Sequence, residues 1–332
     1  MRNFNAIITG VGGYVPETIL SNEDITKLVD TTDEWITTRT GIKERRVLKG
    51  EKMGASYMGI KAVQELLKKT GTKPEDIDAV ICSTTTGDYI FPSTASIIAE
   101  QCGIKNSFAY DISAACSGFI FALVNGATFI ESGRYKKVII VSAEKMSSIT
   151  DYTDRATCPL FGDGAAAVLL EPSTEDYGLI DSVLHTDGSG LPYLHMKAGG
   201  SVNPITHENL DKKENYVYQE GRAVFKEAVT KLVEASEEIK KRNHLKEADV
   251  DWVIPHQANM RIIDAVTKTM GVPMEKSIIN IQKYGNTSSA SIPICIWEYE
   301  NKFKKGDVII MSAFGAGFSW GSVYLKWAYN PK

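Results

Sequence analysis

Cysteine is scarce in this chain and odd in number. The five residues at 82, 102, 116, 158 and 295 mostly sit inside apolar runs, and no two stand at a C-x-x-C spacing. A disulfide framework or a cysteine metal site does not fit that pattern, and reduced core cysteines of a cytoplasmic protein are expected. Long apolar runs are missing as well. The longest carry polar residues such as Asn125 and Glu131, which argues against a bilayer span. The opening MRNFNAIITGVGG lacks the basic, apolar and small-residue order of a signal peptide. Charge of one sign is not in excess: a net −4 gives no reason to expect nucleic acid or an anionic membrane as partner. What remains is an ordinary globular composition over 332 residues, enough for one large domain or two of average size.

The chain repeats itself once. A helix-patterned segment (Ala55, Met58, Ala62, Val63, Leu66) leads into Lys73-Pro-Glu-Asp-Ile-Asp-Ala-Val-Ile-Cys82, and a second (Phe225, Val229, Leu232, Ile239) leads into Lys246-Glu-Ala-Asp-Val-Asp-Trp-Val-Ile-Pro255. Further on, Tyr135-Lys-Lys-Val-Ile-Ile-Val-Ser-Ala143 returns as Lys305-Gly-Asp-Val-Ile-Ile-Met-Ser-Ala313. Each is followed by a Gly-rich turn and a further strand, Gly162-Asp-Gly164 to Leu170 and Gly315-Ala-Gly317 to Leu325. Alternating strand, helix and strand predicts two α/β units with buried parallel strands. A repeat of about 170 residues is too long for a solenoid. Two pseudo-symmetric halves, 1–173 and 174–332, are therefore expected, with a site between them. The polar, Gly-rich stretch 174–221 that opens the second half reads as a lid or pocket wall, since long structureless connections are usually functional.

The repeat points to three residues. Aligning Val138 with Val308 gives an offset of 170, which carries Cys116 onto Asn286; aligning Lys73 with Lys246 gives 173, which sets His256 opposite Ser83. Cys116, His256 and Asn286 then all fall just past predicted strands, where α/β sheets present functional groups. Cys116 opens a run too apolar for a surface helix. A helix starting there would aim its positive end at the sulfur and lower the thiol from about 8.5 toward neutrality. Taken singly, Cys116 is a core cysteine, His256 a core histidine and Asn286 a turn residue. Together they form a constellation.

That constellation carries a resemblance. Thr32-Asp-Glu-Trp-Ile36 with Thr38-Arg-Thr-Gly-Ile42, Ala114-Ala-Cys-Ser-Gly-Phe119, Phe161-Gly-Asp-Gly-Ala165, His256-Gln-Ala-Asn259, Gly285-Asn-Thr-Ser288 and Phe314-Gly-Ala-Gly-Phe318 occur in one order along essentially the whole chain. In this the sequence resembles the thiolase-fold condensing enzymes, and within them the beta-ketoacyl-[acyl-carrier-protein] synthase III family. The resemblance implies a thiolase-like α/β fold, with two pseudo-symmetric halves and mixed sheets layered α-β-α-β-α. It implies a decarboxylative condensation of a short acyl-CoA with malonyl-acyl-carrier protein, the start of fatty-acid synthesis, by a cytoplasmic homodimer that needs no cofactor beyond the CoA thioester substrate.

By the same resemblance Cys116 is the nucleophile, and His256 with Asn286 cradles the enolate. The backbone N–H groups of Cys116 and of the Gly315-Ala316-Gly317 loop receive the oxyanion. Trp35 and Arg155 match the residues that stack the CoA adenine, Arg39 stands at the CoA mouth, and Phe91 matches a residue that reaches the partner's acyl pocket. Arg261, Lys268 and Lys226, on helix-patterned segments beside the site motifs, are candidates for docking an acidic carrier protein. Three rivals follow from the same residues: a starter enzyme for a specialised product, a thioester hydrolase using Cys116 and His256, and a non-catalytic scaffold.

Overall fold

The computed structural model describes residues 4–331. In the first half, strands β1 (Asn5–Tyr14), β2 (Ala79–Ser83), β3 (Phe108–Ile112), β4 (Val138–Lys145) and β5 (Asp163–Ser173) form one sheet in the order β1-β5-β4-β2-β3. In the second half, β6 (Gly178–Thr186), β7 (Trp252–Pro255), β8 (Val308–Gly315) and β9 (Ser319–Lys326) form another in the order β6-β9-β8-β7. The two orders superimpose as β1 on β6, β5 on β9, β4 on β8 and β2 on β7. A fifth strand in the second sheet is reduced to one parallel bridge between Val253 and Ser277.

Both sheets are mixed. The pairs β2–β3, β2–β4 and β7–β8 are parallel, as the alternating pattern predicts. The strands after the Gly-rich turns instead run back antiparallel, β5 against β4 and β9 against β8. The turn 316–318 before β9 is too short for the crossover a parallel pairing needs, and the connection 146–162 before β5 holds the 3-10 turn Met146–Ile149 in place of a crossover α-helix.

Alternation along the strands sets the layers. Ala79 and Ile81 of β2 face one core, while Val80 and Cys82 face another. The shared core holds helices α4 (Gly118–Glu131) and α7 (Ser291–Tyr299) between the inner faces of both sheets. Helices α2 (Ala55–Thr70) and α3 (Thr94–Gln101) cover the outer face of the first sheet. The outer face of the second is covered by α5 (Gly221–Arg242) and α6 (Met260–Thr269). This is the α-β-α-β-α layering that the resemblance implied. A short helix outside the layers, α1 (Asp33–Thr40), is capped by the Thr32 side chain.

The boundary near 173 coincides with the end of the first sheet, but the connection is shorter than 174–221. Residues Gly178–Thr186 pair along their length with β9, because their alternating apolar residues complete the second sheet's edge. The connection proper then runs from 187 to 220 and contains its own ribbon, Leu194–Met196 paired with Val217–Gln219.

Candidate active site

A cavity of about 300 Å³ opens between the two halves. Cys116, His256, Asn286, Ser288, Phe314 and Ala316 line its inner end, and Leu194, His195, Met196, Val217 and Gln219 of the connecting ribbon line its wall. The wall role expected for the connection is thus found in its ribbon. The three residues singled out from the repeat share one cavity.

Cys116 lies in the 3-10 turn Ala115–Ser117, two residues before α4 begins. Ala115 ahead of it is left-handed, φ 46°, a conformation costly for a residue with a Cβ and one that clusters at functional sites. The turn is stitched to the Gly315–Gly317 loop. Ser117 Oγ donates to the Ser319 carbonyl at 2.7 Å, and Ser319 Oγ donates to the Ala114 carbonyl at 3.0 Å. Gly315 packs so closely that a Cβ there would come 2.6 Å from the Cys116 backbone nitrogen. The expected lowering of the thiol is overturned. Burial pushes Cys116 up to about 12; the Ser288 hydroxyl works against that rise and the Glu144 charge adds to it.

His256 follows β7 directly and is 3% exposed. Its backbone N–H donates to the Ser312 carbonyl at 2.8 Å, and its Nδ1 lies 2.7 Å from Ser291 Oγ. Burial brings the imidazole down to about 3, so it is neutral near pH 7.

Asn286 does not follow a strand. It comes after the short helix Ile281–Tyr284 and Gly285, whose φ of 62° suits glycine. The Asn286 backbone clamps onto the first half: its N–H donates to Leu160 O at 2.8 Å, and its carbonyl accepts from Gly162 N–H at 3.1 Å. Its side-chain Oδ1 accepts from Ser288 N–H at 2.9 Å, which leaves the amide NH₂ as the free donor.

A buried carboxylate that the sequence reading missed braces this region. Glu144, 0% exposed at the end of β4, accepts from Thr86 Oγ1 at 2.7 Å, Thr85 N–H at 3.1 Å and Ser289 Oγ at 2.7 Å. One residue of the first half thereby fixes a turn of the second. Its signal was available: an acidic residue directly after the apolar run ending at Ala143.

Outside the cavity lining, the Arg155 and Arg39 guanidinium groups sit over the Trp35 ring at 4.6 and 4.8 Å from its centroid. A half-buried indole beside two exposed planar cations can take a flat aromatic ligand. Lys226 on α5 and Arg261 and Lys268 on α6 are exposed. Arg261 lies 4.9 Å over the Phe225 ring at the cavity wall, whereas Lys268 pairs with Asp264 at 2.8 Å. Phe91 is 82% exposed and does not line this chain's own cavity.

Comparison with known proteins agrees with the geometry. Residues 110–188 match the family 3-Oxoacyl-[acyl-carrier-protein (ACP)] synthase III, and residues 241–327 match that family's C-terminal part. The chain is 60% identical to "Beta-ketoacyl-[acyl-carrier-protein] synthase III 1" of Bacteroides thetaiotaomicron, over 100% of this chain and 99% of that one. It is 44% identical to 3-oxoacyl-[acyl-carrier-protein] synthase III from Aquifex aeolicus, with TM-score 0.89 over 97% of this chain and 100% of that one. The priming beta-ketosynthase of a polyketide biosynthetic pathway is 33% identical, with TM-score 0.91 over 100% and 98% of the two chains. The chain belongs to the beta-ketoacyl-[acyl-carrier-protein] synthase III family of condensing acyltransferases.

Proposed function

We propose that this protein joins a short acyl group, delivered as its CoA thioester, to malonyl-acyl-carrier protein with loss of CO₂, and so starts fatty-acid synthesis. The observation that carries this reading is the convergence of Cys116, His256, Asn286 and the Ala316 backbone on one cavity. A hydrolase needs a nucleophile and a base. A pair of neutral side-chain donors facing the same space suits an enolate.

In the first half-reaction the Cys116 sulfur attacks the thioester carbonyl, and the thiol proton ends on the departing CoA sulfur. The backbone N–H groups of Cys116 and Ala316 receive the oxyanion. In the second, His256 and the free amide of Asn286 donate to the malonyl thioester oxygen while CO₂ leaves. The resulting carbanion attacks the acyl-Cys116 carbonyl, the β-ketoacyl product departs on its carrier, and Cys116 regains a proton from solvent. The malonyl carboxylate supplies the driving force, so the reaction calls for no cofactor. Trp35, Arg39 and Arg155 serve the CoA, while Lys226, Arg261 and Lys268 serve the carrier protein. Exposed Ile90 and Phe91, 93% and 82% accessible, fit burial against a second copy of the chain in a cytoplasmic homodimer.

The test is paired. Radiolabelled acetyl-CoA, or a branched or longer acyl-CoA, is expected to label the protein at Cys116, and malonyl-acyl-carrier protein to chase that label into a β-ketoacyl product. Cys116→Ala serves as control. Absence of labelling by every acyl-CoA tried would remove the nucleophile; labelling followed only by hydrolysis would favour a thioesterase. Label chased only by a different malonyl acceptor would favour a polyketide-type starter enzyme.

A further inference from the structure

We infer that Ser291 is a positioning residue that holds His256 in the tautomer with its proton on Nε2, and so serves the malonyl half-reaction and not the acyl-transfer half. The inference rests on the function proposed above and assigns it a residue that neither the sequence motifs nor the cavity lining includes.

Two hydrogen bonds at Ser291 bear on the tautomer. Ser291 Oγ lies 2.7 Å from His256 Nδ1 and 3.4 Å from the backbone nitrogen of Gln257. A backbone N–H can only donate, so toward Gln257 the serine oxygen is the acceptor. The hydroxyl hydrogen is then free to point at Nδ1, which becomes an acceptor. A neutral imidazole that accepts at Nδ1 carries its proton at Nε2. The ring's deep burial and low pKa keep it in that neutral form.

Helix capping does not account for this serine. Ser291 is the first residue of α7, its N-cap is Ala290, and no side-chain cap hydrogen bond is made there. Alanine is the better helix former at such a position.

The internal duplication repeats the facing pair. With the offset of 173, His256 corresponds to Ser83 and Ser291 to Gly118. These two positions also face each other in the first half: a Cβ on Gly118 would lie 1.9 Å from Ser83 Oγ. The facing pair is therefore present twice, and the half that lacks the imidazole also lacks the hydroxyl. Ser83 Oγ there is buried with no partner.

Ser291→Ala should separate the two half-reactions. Acylation of Cys116 by acyl-CoA is expected to stay within about twofold of the unmodified enzyme. Decarboxylation of malonyl-acyl-carrier protein should fall about tenfold or more in kcat with little change in KM, because a buried acceptor loses its donor. Equal loss in both half-reactions, or no loss in either, would overturn the assignment. Ring ¹⁵N spectra of the histidine-labelled unmodified enzyme, assigned with His256→Gln, test the same point without relying on the variant to fold. A protonated Nε2 and bare Nδ1 are expected, and a protonated Nδ1 would overturn the assignment. If the unmodified enzyme itself fails to condense, the proposed function is what fails. If it condenses and Ser291→Ala shows no split, the inference alone fails.

Discussion

In the first half the chain leaves β3, turns through left-handed Ala115 (φ 46°), makes the 3-10 turn Ala115–Ser117 and enters α4. In the second half it turns through left-handed Ser288 (φ 51°), makes the 3-10 turn Ser288–Ala290 and enters α7. The offset between these turns is 173, which superimposes Cys116 on Ser289 rather than on Asn286. The same turn has been put to two uses. In one half its second residue borders the cavity as Cys116. In the other that residue points away, its hydroxyl 2.7 Å from Glu144 Oε1 and 3.1 Å from the Ser83 carbonyl oxygen. Asn286 precedes the second turn by two residues, and Ser288 N–H holds its side chain. Equivalent backbone thus carries chemistry at unequal positions.

The largest expected effect breaks this comparison at its centre. If backbone position alone made the nucleophile, moving the cysteine across the pseudo-symmetry would keep some acylation. Because Ser289 is turned toward Glu144, the double variant Cys116→Ala/Ser289→Cys should stay as inactive as Cys116→Ala. Both should lie roughly 10⁴-fold or more below the unmodified enzyme, the scale on which a lost nucleophile is felt. Rates of label transfer from acyl-CoA measure it. Recovery in the double variant to within 100-fold of the unmodified enzyme would mean that either turn can present a nucleophile.

A smaller effect tests why the halves diverged at the facing pair. Gly118→Ala forces a Cβ to within 1.9 Å of Ser83 Oγ. Overpacking of this kind costs about 1–3 kcal/mol, read as a lower urea midpoint. Adding Ser83→Gly should return most of that loss. At the corresponding residue 291 the space already holds a serine side chain, so the alanine there makes no overlap, and its cost to the fold is the donor that His256 Nδ1 loses. Failure of Ser83→Gly to relieve Gly118→Ala would contradict this account of the divergence.

How much of this was legible beforehand follows from what a repeat can and cannot encode. The duplicated strands, the layered α/β architecture and the meeting of Cys116, His256 and Asn286 at one cavity could be read, because buried apolar runs and motif spacing survive in one dimension. The offset itself was harder. An insertion of three residues separates the strand alignment, 170, from the turn alignment, 173, and only the backbone conformation at Ala115 and Ser288 says which applies to Cys116. The rise of the Cys116 thiol was hidden for a different reason. It depends on how the assembled halves desolvate the sulfur at the inner end of the cavity, and on Glu144, 28 residues further along the chain, whereas the local run shows only a helix start. The antiparallel direction of β5 and β9 was carried by the resemblance, with its mixed sheets, and not by the pattern, because a buried strand has the same composition in either direction.

The smallest effect sharpens the division of labour between the halves. Trp35, Arg39 and Arg155, the candidates for CoA, all belong to the first half, although α1 packs against α6 of the second. Lys226, Arg261 and Lys268, the candidates for carrier protein, lie on α5 and α6 of the second half, beside His256 and Asn286. Each half would then dock the substrate of the step that its own catalytic residues perform. Trp35→Ala should raise KM for acyl-CoA several-fold, since stacking on an aromatic ring is worth about 0.5–1.5 kcal/mol, and leave KM for malonyl-acyl-carrier protein within twofold. Arg261→Ala should do the reverse. Its effect should shrink as salt is raised, because an exposed cation acts at a range that ions screen. Lys268→Ala should change either constant less than Arg261→Ala does, since Lys268 is already paired with Asp264 and exposed pairs contribute little. A crossed result, with Trp35 acting on the carrier step or Arg261 on the CoA step, would mean that both substrates enter over the same rim. The division between the halves would then concern catalysis and not docking.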